Sequence, residues 1–189
     1  KTSIGGLIGM SENRRGKMTK KMMKDALLEL LETKALEKIT VTDICEKADV
    51  NRSTFYSYYE DISQLLLEIE NDVLNNLPAF PDSSLADSDE IFLATLVKFF
   101  DYVKGNDRLF RVLIVQRNSS EFNHRLVNYV MERYRKPTAS ADKTADRYAY
   151  VYCVSGAIGI LKEWVNGNFP MSTHDFAQIV MNISAKVIS

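Results

Sequence analysis

Two cysteines, two histidines, four prolines and one tryptophan are all that 189 residues contain of those types, and the charges almost cancel at a net −1. Two cysteines build neither a disulfide framework nor a zinc-binding set. Cys45 and Cys153 both sit among apolar helical neighbours, so reduced core thiols and a cytoplasmic location are expected. His124 and His174 lie far apart with no Cys, Asp or Glu at ligand spacing, which predicts surface histidines and no metal. No apolar run reaches the length of a membrane span, so no membrane partner is expected. G-x-S-x-G, phosphate-loop and G-x-G-x-x-G patterns are absent, and no acid–base or nucleophile pair can be assembled. An enzyme is therefore not expected; catalytic residues and cofactors are none, and cofactor-binding residues cannot be assigned. No stretch alternates with strand period, which leaves an all-α chain.

The near-neutral balance and a pI near 6.2 argue globally against a nucleic-acid binder. The distribution argues for one. Between Ser11 and Lys24 lie Arg14, Arg15, Lys17, Lys20, Lys21 and Lys24, opposed only by Glu12. Phosphate needs a local positive surface and not a basic protein. The alternative is a solvated tail, and position decides between them: the run directly precedes the stretch around which the chain is organised.

That stretch is Thr40 to Tyr59, TVTDICEKADVNRSTFYSYY. Thr40 with Asp43 forms a capping box. Val41, Ile44, Cys45 and Ala48 then recur at helical spacing. Asp49 suits the left-handed conformation of a tight turn, and Asn51 can cap the next helix. That second helix, from Arg52, buries Phe55 and Tyr59, leaving Arg52, Ser53, Thr54, Tyr56, Ser57 and Tyr58 on or near the open face. A helix presenting Arg and hydroxyls, mounted across another by a short turn, suits the DNA major groove. An ordinary helical hairpin has the same periodicity.

The run ITVTDICEKADVNRSTFYSYYEDISQLL resembles the DNA-binding domain of the TetR family of bacterial transcription regulators. The resemblance rests on Thr40, the inward Ile44 and Ala48, the pair Phe55-Tyr56, Tyr59 and Leu65. It implies a DNA-binding regulator whose partner is a double-stranded operator. Two positions depart from the family pattern: Asp49 stands where Gly is usual, and Ile62 where a phosphate-binding Lys is common. The candidate DNA-contacting residues are Thr40, Thr42, Asn51, Arg52, Ser53, Thr54, Tyr56, Ser57 and Tyr58. Arg52, the only cation on its helix, is expected to read a base, with a phosphate contact or a salt bridge as its alternatives. Tyr58 is expected to hold the backbone.

Along the chain, residues 1–9 are Gly-rich and aperiodic, and are read as added ahead of a natural start at Met10. The expected domains are an N-terminal arm (1–17), a three-helix helix-turn-helix domain (18–60) and a helical dimerisation and effector domain (61–189). Thr19 is expected to cap a first helix with Met22, Met23, Ala26, Leu27, Leu30 and Leu31 as its apolar stripe. A helix from about Asp61 comes next, closed by Pro78, and a turn-rich linker runs to Asp89. Later helices are expected from Ser88 to Gly105, Asp107 to Gln116, Ser119 or Ser120 to Pro137, Ala141 to Asn166, and Ser172 or Thr173 onward.

The apolar run from Val151 to Leu161, with Ser155, Gly156, Ala157 and Gly159 within it, permits close helix approach. Pairing with a second copy beside the last helix makes a homodimer; a plain central helix is the alternative. GAIGILKEWVNGN is similar to the C-terminal domain of the TetR branch that includes activators of dihydroxyacetone kinase operons. The aromatic set of this half is expected to be mostly core, part of it lining a pocket for a small apolar effector. The expected function is a homodimeric regulator on a palindromic operator, a repressor released by an effector. The alternative is an activator or co-activator that answers to a partner protein.

Overall fold

The computed structural model describes residues 5–78, 88–117, 120–134 and 143–188, and among the described residues there is no strand. In chain order the helices are α1 (Gly5–Leu31), α2 (Val41–Ala48), α3 (Arg52–Tyr56), α4 (Ile62–Asn75), α5 (Asp89–Gly105), α6 (Asp107–Phe110), α7 (Ser120–Tyr134), α8 (Lys143–Asn166) and α9 (Thr173–Ile188). They gather into two compact units, Lys1–Asp72 and Val73–Ser189.

In the first unit α1 packs on α2, and α2 on α3. The core draws Met23, Ala26, Leu27 and Leu31 from α1, Ile44, Cys45 and Ala48 from α2, Phe55 and Tyr59 from the α3 region, and Leu65 and Leu66 from α4. Each large side chain fully buried contributes about 1.5–3 kcal/mol. The first helix does not begin at Thr19. It begins at Gly5, and the Thr19 hydroxyl instead donates to the Arg15 carbonyl one turn back at 3.0 Å. A threonine has both options, end cap or mid-helix back-bond, and its identity does not choose between them. Met22, expected in the apolar stripe, is 39% exposed.

In the second unit α9 packs against α5 and α8, and α8 against α7. The helix expected from Asp107 to Gln116 changes pitch at Arg111, where a π-helical stretch (Arg111–Gln116) takes over. The Arg117 amide donates to the Val112 carbonyl at 3.0 Å across this wider turn. No proline or glycine in the segment accounts for the change.

Aromatic side chains fill one part of the core. Trp164 lies parallel to Phe176, with ring centres 4.5 Å apart, and Phe100 meets both edge-on. The left-handed turn that closes α8 falls on Asn168 (φ 58°) and Phe169 (φ 57°), not on Gly167. This conformation costs a bulky residue about 1–2 kcal/mol. It sets the Phe169 ring edge-on to Trp164 at 4.7 Å. Tyr152, expected with the core aromatics, is 68% exposed. The linker at 79–87, Ser119 and Pro137 lie outside the described residues, as does the side chain of Cys153. Among the described residues no helix is long and apolar enough to cross a membrane.

Candidate nucleic-acid interface

The frame of the site is set by its helix ends. The Thr40 amide donates to Asp43 Oδ2 at 2.8 Å, and the Asp43 amide donates to Thr40 Oγ1 at 3.1 Å. Lys34 Nζ stands 3.2 Å from the other Asp43 oxygen. The Thr40 backbone bond, then the Thr40 hydroxyl, then Lys34 hold the Asp43 carboxyl below the usual carboxylate range. At the far end of α2, Asp49 adopts φ 51° and ψ 48°. This lets the Val50 amide reach the Cys45 carbonyl at 3.0 Å and so satisfies an orphan acceptor.

Asn51 then starts α3. Its Oδ1 accepts from the Thr54 amide at 2.7 Å, the Ser53 hydroxyl at 2.6 Å and the Thr54 hydroxyl at 2.9 Å. The Ser57 hydroxyl donates to the Thr54 carbonyl at 2.7 Å. Four predicted contact residues, Thr40, Ser53, Thr54 and Ser57, therefore spend their hydroxyl protons inside the motif. They keep lone pairs for accepting. Thr42, Arg52 and Tyr56 are exposed on the same motif. Thr42, Asn51 and Arg52 line one open groove together with Cys45, Glu46, Asp49 and Val50. Among the described residues no carboxylate forms an ion pair with Arg52. Burial pushes the Cys45 thiol up in pKa, against the opposing pull of the Arg52 charge. The Tyr56 ring packs edge-on to Phe55 at 5.6 Å, and Tyr59 is buried with its hydroxyl inside.

Tyr58 turns to α1. A methyl group built on Gly16 would stand 3.2 Å from the Tyr58 hydroxyl oxygen. Lys20 Nζ lies 6.0 Å from the centre of the Tyr58 ring and 5.3 Å from that of Tyr59. The basic run of α1 is thereby divided. Lys20 binds Glu68 of α4 at 2.9 Å, while Lys24 binds Glu68 at 2.7 Å and Asp72 at 2.6 Å. Arg14, Arg15, Lys17 and Lys21 are exposed. Burial opposes ionisation of Glu68, but hydrogen bonds from Lys24 and Lys20 outweigh it and hold the carboxyl low. Burial likewise opposes the Lys24 charge and is outweighed by Asp72 and Glu68, so its pKa is raised. Periodicity reveals none of these partners. The one available signal is Gly16, a residue that costs a helix about 0.5–1 kcal/mol relative to Ala and so hints at a close approach.

Two family models match the chain. One, described as bacterial regulatory proteins of the tetR family, matches residues 25–69; the other, described as a transcriptional regulator C-terminal region, matches residues 90–186. An uncharacterized HTH-type transcriptional regulator of Bacillus subtilis, YxbF, is 38% identical over 55 residues, 29% of this chain and 14% of its own length. The HTH-type dhaKLM operon transcriptional activator DhaS of Lactococcus lactis is 38% identical over 56 residues, 29% of this chain and 30% of its own. The chain thus matches well under half the length of either relative.

Solved structures share the fold, among them these two. A TetR transcriptional regulator from Streptococcus agalactiae superposes with a TM-score of 0.71 at 24% identity, over 93% of this chain and 98% of that one. The dihydroxyacetone kinase operon activator DhaS does so with a TM-score of 0.58 at 18% identity, over 90% and 96%. A capped helix-turn-helix in one unit, an all-helical second unit and a family match over more than half of the sequence converge: the chain belongs to the TetR family of DNA-binding transcriptional regulators.

Proposed function

We propose that the protein is a cytoplasmic homodimer that binds a palindromic operator through α2 and α3, and that it represses transcription until a small apolar effector releases it. The observation that carries the reading is the division of labour on the motif. Internal bonds hold the side chains of Thr40, Asn51, Ser53, Thr54 and Ser57 in place, while those of Arg52, Tyr56 and Thr42 are exposed and make no hydrogen bond among the described residues. Phosphates offer only acceptors, so donation falls to Arg52, Tyr56, Tyr58, Thr42 and the Asn51 amide. The capped hydroxyls can accept from base amino groups. Arg52, at the first position of α3, reads guanine bidentately, and the Tyr58 hydroxyl meets a backbone phosphate.

Dimerisation is supported by α8 and α9. Tyr148, Val151, Tyr152, Ser155 and Gly159 are exposed at helical spacing on α8, as are Ile179 and Ile183 on α9. A methyl group built on Gly156 or Gly159 meets nothing within 4 Å, so that side is open to a second backbone. Two copies place two recognition helices on two half-sites. The apolar, aromatic interior of the second unit suits a small apolar effector.

The DhaS relative, described as an activator, favours a second reading in which the protein activates transcription or answers to a partner protein. Selection of duplexes from a randomised library, followed by transcription from the selected sequence with and without the protein, tests both. An enriched inverted repeat with reduced transcription is expected. Increased transcription selects the second reading, and no enriched sequence removes both.

A further inference from the structure

Lys20 and Glu68 lie 48 residues apart in the chain yet meet at one corner of the first unit, where α1, α4 and the end of the recognition helix converge. Four contacts build that corner. Glu68 Oε2 holds Lys20 Nζ at 2.9 Å. The same ammonium lies 5.3 Å from the Tyr59 ring centre and 6.0 Å from that of Tyr58. Gly16, one turn before Lys20 on α1, lets the Tyr58 hydroxyl come so near that a methyl group there would stand only 3.2 Å from its oxygen, tighter than ordinary contact. A cation over an aromatic face is attracted by the ring, and an ammonium fixed by a carboxylate presents that face with one preferred placement. Tyr59 is buried at 2% exposed, whereas Tyr58 is half-buried and its hydroxyl makes no hydrogen bond among the described residues.

We propose that Glu68 is a positioning residue for operator binding: through Lys20 it fixes the Tyr58 side chain against Gly16, and so sets where the Tyr58 hydroxyl meets the DNA backbone. This rests on the reading of Tyr58 as a backbone contact. Glu68 itself touches no DNA. The corner tolerates its removal, because Lys24 still ties α1 to α4 through Asp72 at 2.6 Å.

The test is binding by the full chain to a duplex that it selects from a randomised library, and to a mixed-sequence duplex, across a salt series. Parent, Glu68→Gln, Lys20→Met, Tyr58→Phe and the pairwise doubles are compared, with a melting curve for each. Glu68→Gln and Lys20→Met should each weaken binding to the selected duplex about threefold to tenfold, the scale of one misplaced polar contact. The Glu68→Gln and Tyr58→Phe losses should not add, because both act at one hydroxyl. If Glu68→Gln melts below the assay temperature, Lys20→Met together with Tyr58→Phe gives the same cycle.

Additive losses, an unchanged affinity for Glu68→Gln, or tighter binding to both duplexes with a steeper salt slope would overturn the proposal. The last result would mean that Glu68 only neutralises Lys20. Failure of the underlying reading looks different: Tyr58→Phe alone would then leave affinity for the selected duplex untouched.

Discussion

The amide and the hydroxyl of Thr40 both donate to one Asp43 oxygen at 2.8 Å, while the Asp43 amide donates back to the Thr40 hydroxyl at 3.1 Å. One side-chain pair thus closes the N-terminus of α2, a helix of eight residues that has little stability of its own. Thr40→Ala opens the box and should cost about 1 kcal/mol, with Thr40→Ser close to the parent. Urea denaturation of the three proteins checks this; equal midpoints would show that packing alone holds α2.

Titration draws on the same carboxylates. Asp43 and Glu68 are held low in the folded state, so their contribution is present above the ordinary carboxylate pKa of about 4 and lost as pH falls through the depressed values. Lys24 is raised, so its contribution is present below the ordinary lysine value of about 10.4 and lost as pH rises through the folded one. Stability should plateau between those limits. Glu68→Gln should make the acid limb shallower, and denaturation midpoints measured from pH 2 to 11 would show it.

The sequence carries this motif plainly because its determinants are local. Thr40 and Asp43 are three residues apart, Asn51 caps within its own turn, and Asp49 announces the left-handed step. What escapes sequence reading is non-local or ambiguous. Lys20 and Lys24 look like free cations until α4 brings Glu68 and Asp72 to them. Thr19 has the chemistry of a cap but sits mid-helix. Phe169 occupies a left-handed position that its side chain disfavours, with its ring edge-on to Trp164 and beneath the Lys104 ammonium that α5 brings to it.

Arg52 carries the specificity prediction. Arg52→Ala should cost about 1–3 kcal/mol on the selected operator and relax preference at one base pair. Binding to an operator library resolves the outcome. A uniform loss with preference intact would make Arg52 a phosphate contact instead.

The exposed cations of α1 carry the electrostatic one. Arg14→Gln with Arg15→Gln should weaken binding to all duplexes alike and lower the salt slope by roughly 0.9 per lost phosphate contact. Lys24→Gln should leave the slope unchanged, since its charge is spent on Glu68 and Asp72. Affinity titrations at several salt concentrations separate the two groups.

Gly159 tests the assembly. Because its surroundings are open in a single chain, Gly159→Arg should leave the helical content intact while burying a charge wherever two copies meet. Sedimentation should find a dimeric parent and a monomeric variant at micromolar concentration. A monomeric parent would sink the dimer.

Trp164 is the only indole in the chain, and it sits 2% exposed against Phe176 within the second unit. The first unit absorbs near-ultraviolet light only through tyrosine and phenylalanine. Emission excited at the red edge of the spectrum is therefore a private signal of residues 73–189. Circular dichroism at 222 nm counts helices in both units, so the difference between the two melting traces isolates the half that holds the DNA-binding motif. The molecule comes already labelled, in one half only, with no dye to attach.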